Sequence, residues 1–228
     1  MVNDIVQFVV SSLSLGGLYA LMALGLVIVY GILRLINFAY GELVMVGGYS
    51  LLILGKTVWP WIFVAALSVA MAVLASVLME RVGFRPVRNA SPTTMLITSF
   101  AISALLQNIA LLTVSPRPQA VRLPGFFVQT LTIGGFRVKA VDLISLAVSL
   151  ILLGVLTVFL RRTIMGMALR ASADDFTMAR LLGVRANGVI ALAFAISGFM
   201  AGIVSLFWIG RSSLVEPAVG LQPVLIAF

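Results

Sequence analysis

A single acidic residue, Glu42, lies between Asp4 and Glu80, in the stretch Asn37-Phe38-Ala39-Tyr40-Gly41-Glu42 between apolar runs. A carboxylate at membrane depth is costly and marks a route for a polar solute. Gly41 and the pair Gly47-Gly48 suit a helix that breaks there and turns bare backbone toward a cavity. The plainer alternative is an interfacial loop, with Glu42 in water or paired with Arg34. A second polar group, Ser99, Ser103 and Gln107, recurs at i, i+4 and i+8, with Asn108 adjacent. Such a stripe either lines a passage for a zwitterion or bonds to neighbouring helices. The third feature is RASADDFTMARLLGV (170–184), an island with four charged side chains in a chain where 10% of residues are charged. Histidine and cysteine are absent. That excludes thiolate nucleophiles, histidine bases, disulfides and His or Cys metal sites. No G-x-x-x-x-G-K-[ST] stretch occurs, so a P-loop for ATP is absent as well.

The elements that must position these residues are spans. The chain has 228 residues, 62% of them hydrophobic, against roughly 45–50% for a soluble domain. Mean hydropathy is +1.20. Fifteen Lys and Arg against seven Asp and Glu give a net charge of +8. The basic residues fall between apolar runs, where topology and anionic headgroups explain them better than nucleic acid does. Apolar runs cover about Ile5–Leu33, Leu43–Leu54, Trp59–Met79, Met95–Val114, Leu143–Leu160 and Val189–Ile209. The second is short for a straight span and combines with 35–42 into one broken or re-entrant element. The last run begins near Ala218 and stops within LQPVLIAF, and the expectation is a chain truncated there. No cleavable leader is expected, since Asp4 precedes a run too long for a signal peptide. The expected fold is an all-α, polytopic transmembrane bundle.

Arginine clusters at 80–92 and 161–188 place both loops in the cytoplasm, with the N-terminus and 115–141 outside. Loop 115–141 contains Pro116, Pro118, Pro124 and Gly134-Gly135 and reads as an ordered extracytoplasmic loop or hairpin. Ser12, Gly16 and Ala20, and likewise Gly198 and Gly202 with Ser197, Ala201 and Ser205, are spaced for close helix packing.

In the island, Ser172 and Asp175 fit a capping box, and Asp174 and Asp175 occupy a first turn where the helix dipole favours anions. Arg180 falls in the last turn, and Gly183 stands where a helix stops. The spacing predicts one short helix, about 15 Å long and too short to span. Met178, Leu181 and Leu182 share a face, with Phe176 nearby. Such a helix either lies on the lipid or is presented to a soluble partner.

Four stretches in order resemble the permeases of branched-chain amino acid ABC transporters, the LivH family. They are GGLYALMALGLVIVYGILRLINFAYGELVMVGGY (16–49), ERVGFRPVRNASPTTMLITSFAISALLQN (80–108), RASADDFTMARLLGVRANGVIALAFAISGFMAG (170–202) and VEPAVGLQPVLIAF (215–228). The resemblance implies a single permease domain over 1–228, with family members continuing beyond it. It implies a multi-pass protein of the bacterial cytoplasmic (inner) membrane with no catalysis or cofactor of its own. ATP is then used by two cytoplasmic ATPases, alongside a second homologous permease and an extracytoplasmic solute-binding protein. Ser172, Asp175, Phe176, Met178, Arg180, Leu181, Leu182 and Gly183 become a coupling helix that docks on an ATPase. Asn37, Tyr40, Gly41, Glu42, Ser99, Ser103 and Gln107 become candidates for the passage. Relatives of the family also carry urea, short amides or aromatic acids. An intramembrane enzyme built on Asp174-Asp175 lacks the further acids it needs, and the coupling-like island disfavours a stand-alone channel.

Overall fold

The computed structural model describes residues 2–34, 36–88, 90–133 and 136–227. The elements follow in order as α1 (Val2–Leu33), α2 (Tyr40–Leu54), α3 (Trp61–Leu78), a π-helical turn (Met79–Phe84) and α4 (Arg85–Val87). Next come α5 (Pro92–Thr113), β1 (Gln119–Ala120), α6 (Gly125–Val128), β2 (Thr130–Ile133), β3 (Phe136–Lys139) and α7 (Ala140–Arg162). The chain continues through α8 (Ile164–Asp174), α9 (Phe176–Leu181), α10 (Ala186–Ser212), β4 (Leu214–Val215) and α11 (Leu221–Ala227). Among the described residues, five helices are long and apolar enough to cross a membrane, and α2 is a shorter apolar helix. The expected all-α polytopic bundle is what forms.

Two sets of contacts define the two ends of the bundle. At one end Ser11 of α1 donates to Asp142 of α7, which also holds Arg211 of α10. Strand β1 pairs antiparallel with β4 at the same end, with Gln119 opposite Val215. The loop between α5 and α7 also carries the β2–β3 hairpin, with Thr130 opposite Lys139. The Gly134-Gly135 pair of the expected hairpin lies outside the described residues. At the other end Arg34 Nη2 donates to the Ala173 carbonyl at 2.9 Å, and Arg88 Nη1 donates to Asn187 Oδ1 at 2.8 Å.

Helix α10 threads the middle of the bundle. A Cβ on Gly198 would meet the backbone and Ser76 of α3, and one on Gly202 would meet Val69 Cα at 3.0 Å. Small residues there let α10 and α3 touch backbone to backbone, the usual device where no hydrophobic force drives helices together. Hydroxyls complete the contact, with Ser76 Oγ donating to the Phe194 carbonyl and Ser68 Oγ to the Gly47 carbonyl, both at 2.6 Å. The stripe Ser12-Gly16-Ala20 behaves differently from the sequence expectation. A Cβ on Gly16 would meet nothing within 4 Å, and it is Gly17 that packs on Ser149 of α7. Ser12, Gly16 and Ala20 instead border an open groove between α1 and α7. The physical reason is a rotation of about 100° per residue, which turns position 17 toward α7 and position 16 toward the groove.

Candidate translocation site

The helix break expected within 35–49 falls before Tyr40 only: α2 runs unbroken through Gly41 and Gly47-Gly48, which pack against Gly220, Ser205 and Ile209 instead of turning bare backbone toward a cavity. Helix α1 ends at Leu33, and Arg34 takes a left-handed φ of 52°. Residues 36–39 are non-helical, and α2 begins at Tyr40. Fifteen residues of α2 cover about 22 Å at 1.5 Å each, less than the roughly 30 Å of hydrocarbon.

Asn37 organises the non-helical segment. Its Oδ1 accepts from the Ala39 N–H at 3.1 Å, and its Nδ2 points to Met79 Sδ at 3.5 Å. The Tyr40 N–H returns to the Asn37 carbonyl at 3.2 Å and the Glu42 N–H to that of Ala39 at 3.2 Å. Phe38 stacks on Phe100 of α5 with ring centroids 4.4 Å apart. The Tyr40 ring is buried against α1, where any side chain on Gly25 would collide with its hydroxyl. That hydroxyl has no hydrogen-bond partner among the described atoms. Gly41 lies on the backbone of Gly220, whose carbonyl oxygen would stand 2.7 Å from a Cβ at 41.

Glu42 sits in the first turn of α2, an end of a helix that favours a carboxylate. It is only 2% exposed. Its Oε1 accepts from Ser103 Oγ at 2.8 Å and from Gln107 Nε2 at 2.7 Å, both on α5. The two polar features of the sequence, the lone acid and the i, i+4, i+8 stripe, thus form one site. Ser99 is the exception. It is buried and donates to the Leu96 carbonyl of its own helix at 2.7 Å. The alternative pairing of Glu42 with Arg34 is not made, because Arg34 is spent on Ala173 at the end of the bundle.

The other buried acids have cationic partners that sequence reasoning missed. Glu80, carried inward by the π-helical turn, pairs with Arg88, and Asp142 pairs with Arg211. The signal was present only as isolated acids at span ends. Arg88 and Arg211 stand eight and sixty-nine positions away, distances at which spacing carries no information.

The charged island is two helices, not one. Helix α8 is capped by Thr163, whose hydroxyl accepts from the Gly166 N–H at 2.9 Å. It runs through Ser172 and ends at Asp174. The expected capping box fails here, because Ser172 lies inside a helix, buried, with an unpartnered hydroxyl. Asp175 is the true cap. It is extended, and its Oδ1 accepts from the N–H groups of Thr177 and Met178, each at 2.9 Å. Two acids in succession allowed the break, since the second satisfies a new helix start as well as an S-x-x-D box would. Arg180 occupies the last turn of α9, and Gly183 stops it at φ 90°. Met178, Leu181 and Leu182 project outward, Leu182 being 85% exposed. Phe176 turns the other way. It packs on the main core and borders a cavity of about 540 Å³ with Arg85, Arg88 and Arg180.

Five apolar helices long enough to cross a membrane, packed around a carboxylate buried at the start of α2, define a multi-pass membrane protein. The profile of the family described as "Branched-chain amino acid transport system / permease component" matches residues 8–228. The chain belongs to that family. It is 35% identical over 236 residues to the "High-affinity branched-chain amino acid transport system permease protein LivH" of Escherichia coli K12, covering 97% of this chain and 76% of that one. It is 32% identical over 234 residues to the corresponding BraD protein of Pseudomonas aeruginosa, with the same coverage of each chain. A probable branched-chain amino acid transport permease of Methanocaldococcus jannaschii is 29% identical over 192 residues, 82% of this chain and 60% of that one. No solved structure matches. The protein is therefore a permease component of a transport system.

Proposed function

We propose that this chain forms the membrane passage of a binding-protein-dependent ABC importer for branched-chain or other hydrophobic amino acids. One observation carries the reading: Glu42 is buried in the first turn of α2 and, among the described residues, is held by neutral donors alone, Ser103 and Gln107. A carboxylate left without a cation inside the bundle retains the capacity to attract a positive group. The ammonium of an amino acid supplies one, while the apolar walls tolerate its side chain. Asn37, Tyr40 and Gly41 shape the break, and Ser99 lies one turn from Ser103 on the same helix. Low selectivity at this site suffices where a solute-binding protein chooses the cargo.

The arginine-rich end, with 80–92 and 161–188, faces the cytoplasm, and 115–141 lies outside. On that face Met178, Leu181 and Leu182 form the apolar contact for an ATPase. Asp175, Arg180 and Gly183 set the ends of α9, and Ser172 and Phe176 anchor the segment to the bundle. Two such ATPases, a second homologous permease and an extracytoplasmic binding protein complete the assembly in the inner membrane.

The test is Glu42→Gln, reconstituted with the complete complex in proteoliposomes. The amide preserves shape and hydrogen bonding to Ser103, so the complex assembles while leucine uptake falls. Unchanged uptake returns Glu42 to a structural role. Uptake that prefers urea, a short amide or an aromatic acid over leucine moves the chain to another cargo within the family.

A further inference from the structure

The segments YGILRLINFAYG (30–41) and IGRSSLVEPAVG (209–220) align without gaps, with Gly31 opposite Gly210, Leu35 opposite Leu214, Ala39 opposite Ala218 and Gly41 opposite Gly220. Four identities in twelve positions are weak alone, but the backbone repeats them. The described structure has two non-glycine residues at positive φ, Arg34 at 52° and Ser213 at 56°, and these are opposite one another in the alignment. Such residues are uncommon because the left-handed region crowds Cβ. Both close a long helix by the same bond, Arg34 N–H to the Tyr30 carbonyl and Ser213 N–H to the Ile209 carbonyl, each at 2.7 Å. The turns that follow also match. Tyr40 bonds back to Asn37 as Val219 does to Glu216, and Glu42 bonds to Ala39 as Leu221 does to Ala218.

The two copies run in opposite directions. Helix α1 ends beside Ala173, whereas α10 ends beside Asp142 at the other end of the bundle. From its break, α2 climbs along α10, with Gly47 against Ser205 and Gly48 against Ile209. Helix α11 descends along α1, and Ala227 shares a cavity with Ala23, Leu26, Tyr30 and Ile36. The breaks meet where Gly41 and Gly220 touch. A Cβ on Gly220 would fall on the carbonyl of Gly41, an obstacle of backbone that no rotamer change removes.

We propose that 30–41 and 209–220 are an inverted pair of broken spans, and that the Gly41–Gly220 contact is the pivot on which the passage opens to one side or the other. Gly220 is then a positioning residue for transport, setting where the first turn of α2, and Glu42 with it, stands. A near-symmetric pair with opposite orientation has two equivalent ways to tilt, which is how inverted repeats give alternating access about a fixed midplane site. The inference rests on the reading of the chain as a passage driven by ATPases. Glu42→Gln tests that reading separately, because it leaves the glycine contact intact.

The experiment uses the complete complex in proteoliposomes. Gly220→Ala is expected to insert and assemble, to keep ATP hydrolysis and to lose uptake by at least about tenfold, with Gly16→Ala as the control in open space. Because the chain has no cysteine, Phe38→Cys and Pro217→Cys, which occupy equivalent positions, report on either side of the pivot. Their thiol labelling is compared in nucleotide-free and vanadate-trapped complexes. The pivot requires labelling to rise at one position and fall at the other. Normal uptake by Gly220→Ala, or labelling that changes alike or not at all at the two positions, overturns the proposal. Should Gly220→Ala fail to assemble, the thiol pair decides.

Discussion

Glu42 and Asp142 are both buried acids in the first turn of an apolar helix, yet they are treated in opposite ways. Asp142 lies at the end of the bundle, accepting from Ser11 and paired with Arg211, which also donates to the Ser11 carbonyl at 3.2 Å. Three helices, α1, α7 and α10, are tied by that one carboxylate. Glu42 lies at the start of α2, and among the described residues it has no cation, only a hydroxyl and an amide. Glu80 with Arg88, at the opposite end, follows the pattern of Asp142. The difference teaches that this fold neutralises buried acids internally where they brace the ends. At the start of α2 it surrounds the acid, among the described residues, with neutral donors, and the passage proposed above would use that carboxylate to meet a positive group.

Removing one partner of the brace gives the largest effect on the chain itself. Asp142→Ala leaves the partly buried Arg211 without its counter-charge, and breaking a fully buried pair costs about 3–5 kcal/mol, the upper bound here because the Arg211 side chain is 17% exposed. The folded fraction in detergent should fall, and the double variant with Arg211→Met should recover at least half of the loss. A double variant no better than the single one would show that Asp142 braces nothing through Arg211.

A smaller effect is expected at the break. Ser103→Ala removes one of two hydrogen bonds to Glu42, worth about 1.5–3 kcal/mol where the acceptor is charged. Uptake measured in the reconstituted complex should fall more than thermal stability does. An equal loss of both would make Glu42 another brace and erase the contrast.

The smallest effect on the chain comes from adding a carboxylate where water reaches it. Leu182 is 85% exposed, so Leu182→Asp should leave insertion and melting unchanged. Against an ATPase the same charge would be buried, and about 3–5 kcal/mol corresponds to two to three orders of magnitude in affinity at roughly 1.4 kcal/mol per tenfold. Co-purification of the ATPases is the measurement. Normal recovery with normal uptake would mean that α9 lies on lipid instead.

Much of this was legible because it is local. Span positions follow from apolar runs, and the shortness of α2 follows from a run too short to cross; the glycines at 41, 47 and 48 misled, because they serve close packing inside an unbroken helix. The stop at Gly183 follows from a residue that tolerates positive φ. The split of the island at Asp175 was not legible, because Ser172 and Asp175 offer competing caps. The choice was made by packing, which buries Ser172 against the bundle. The rotation that sets Gly17, rather than Gly16, against Ser149 was hidden for the same reason, since both glycines satisfy a small-residue pattern.

The sequence by itself determined that this is a helical membrane protein, where its long apolar helices run and which one is short. Hydropathy, helix length and backbone freedom are properties of neighbouring residues, and hydrocarbon forces every polar backbone group to be satisfied locally. Only the tertiary structure decided which acid meets which partner: Glu42 with Ser103 and Gln107 on α5, Asp142 with Arg211, and Gly41 against Gly220. Each of these contacts joins residues more than sixty positions apart. In lipid, helices choose their neighbours by close fit and by satisfying polar groups, so these partners are fixed only when the whole bundle has packed.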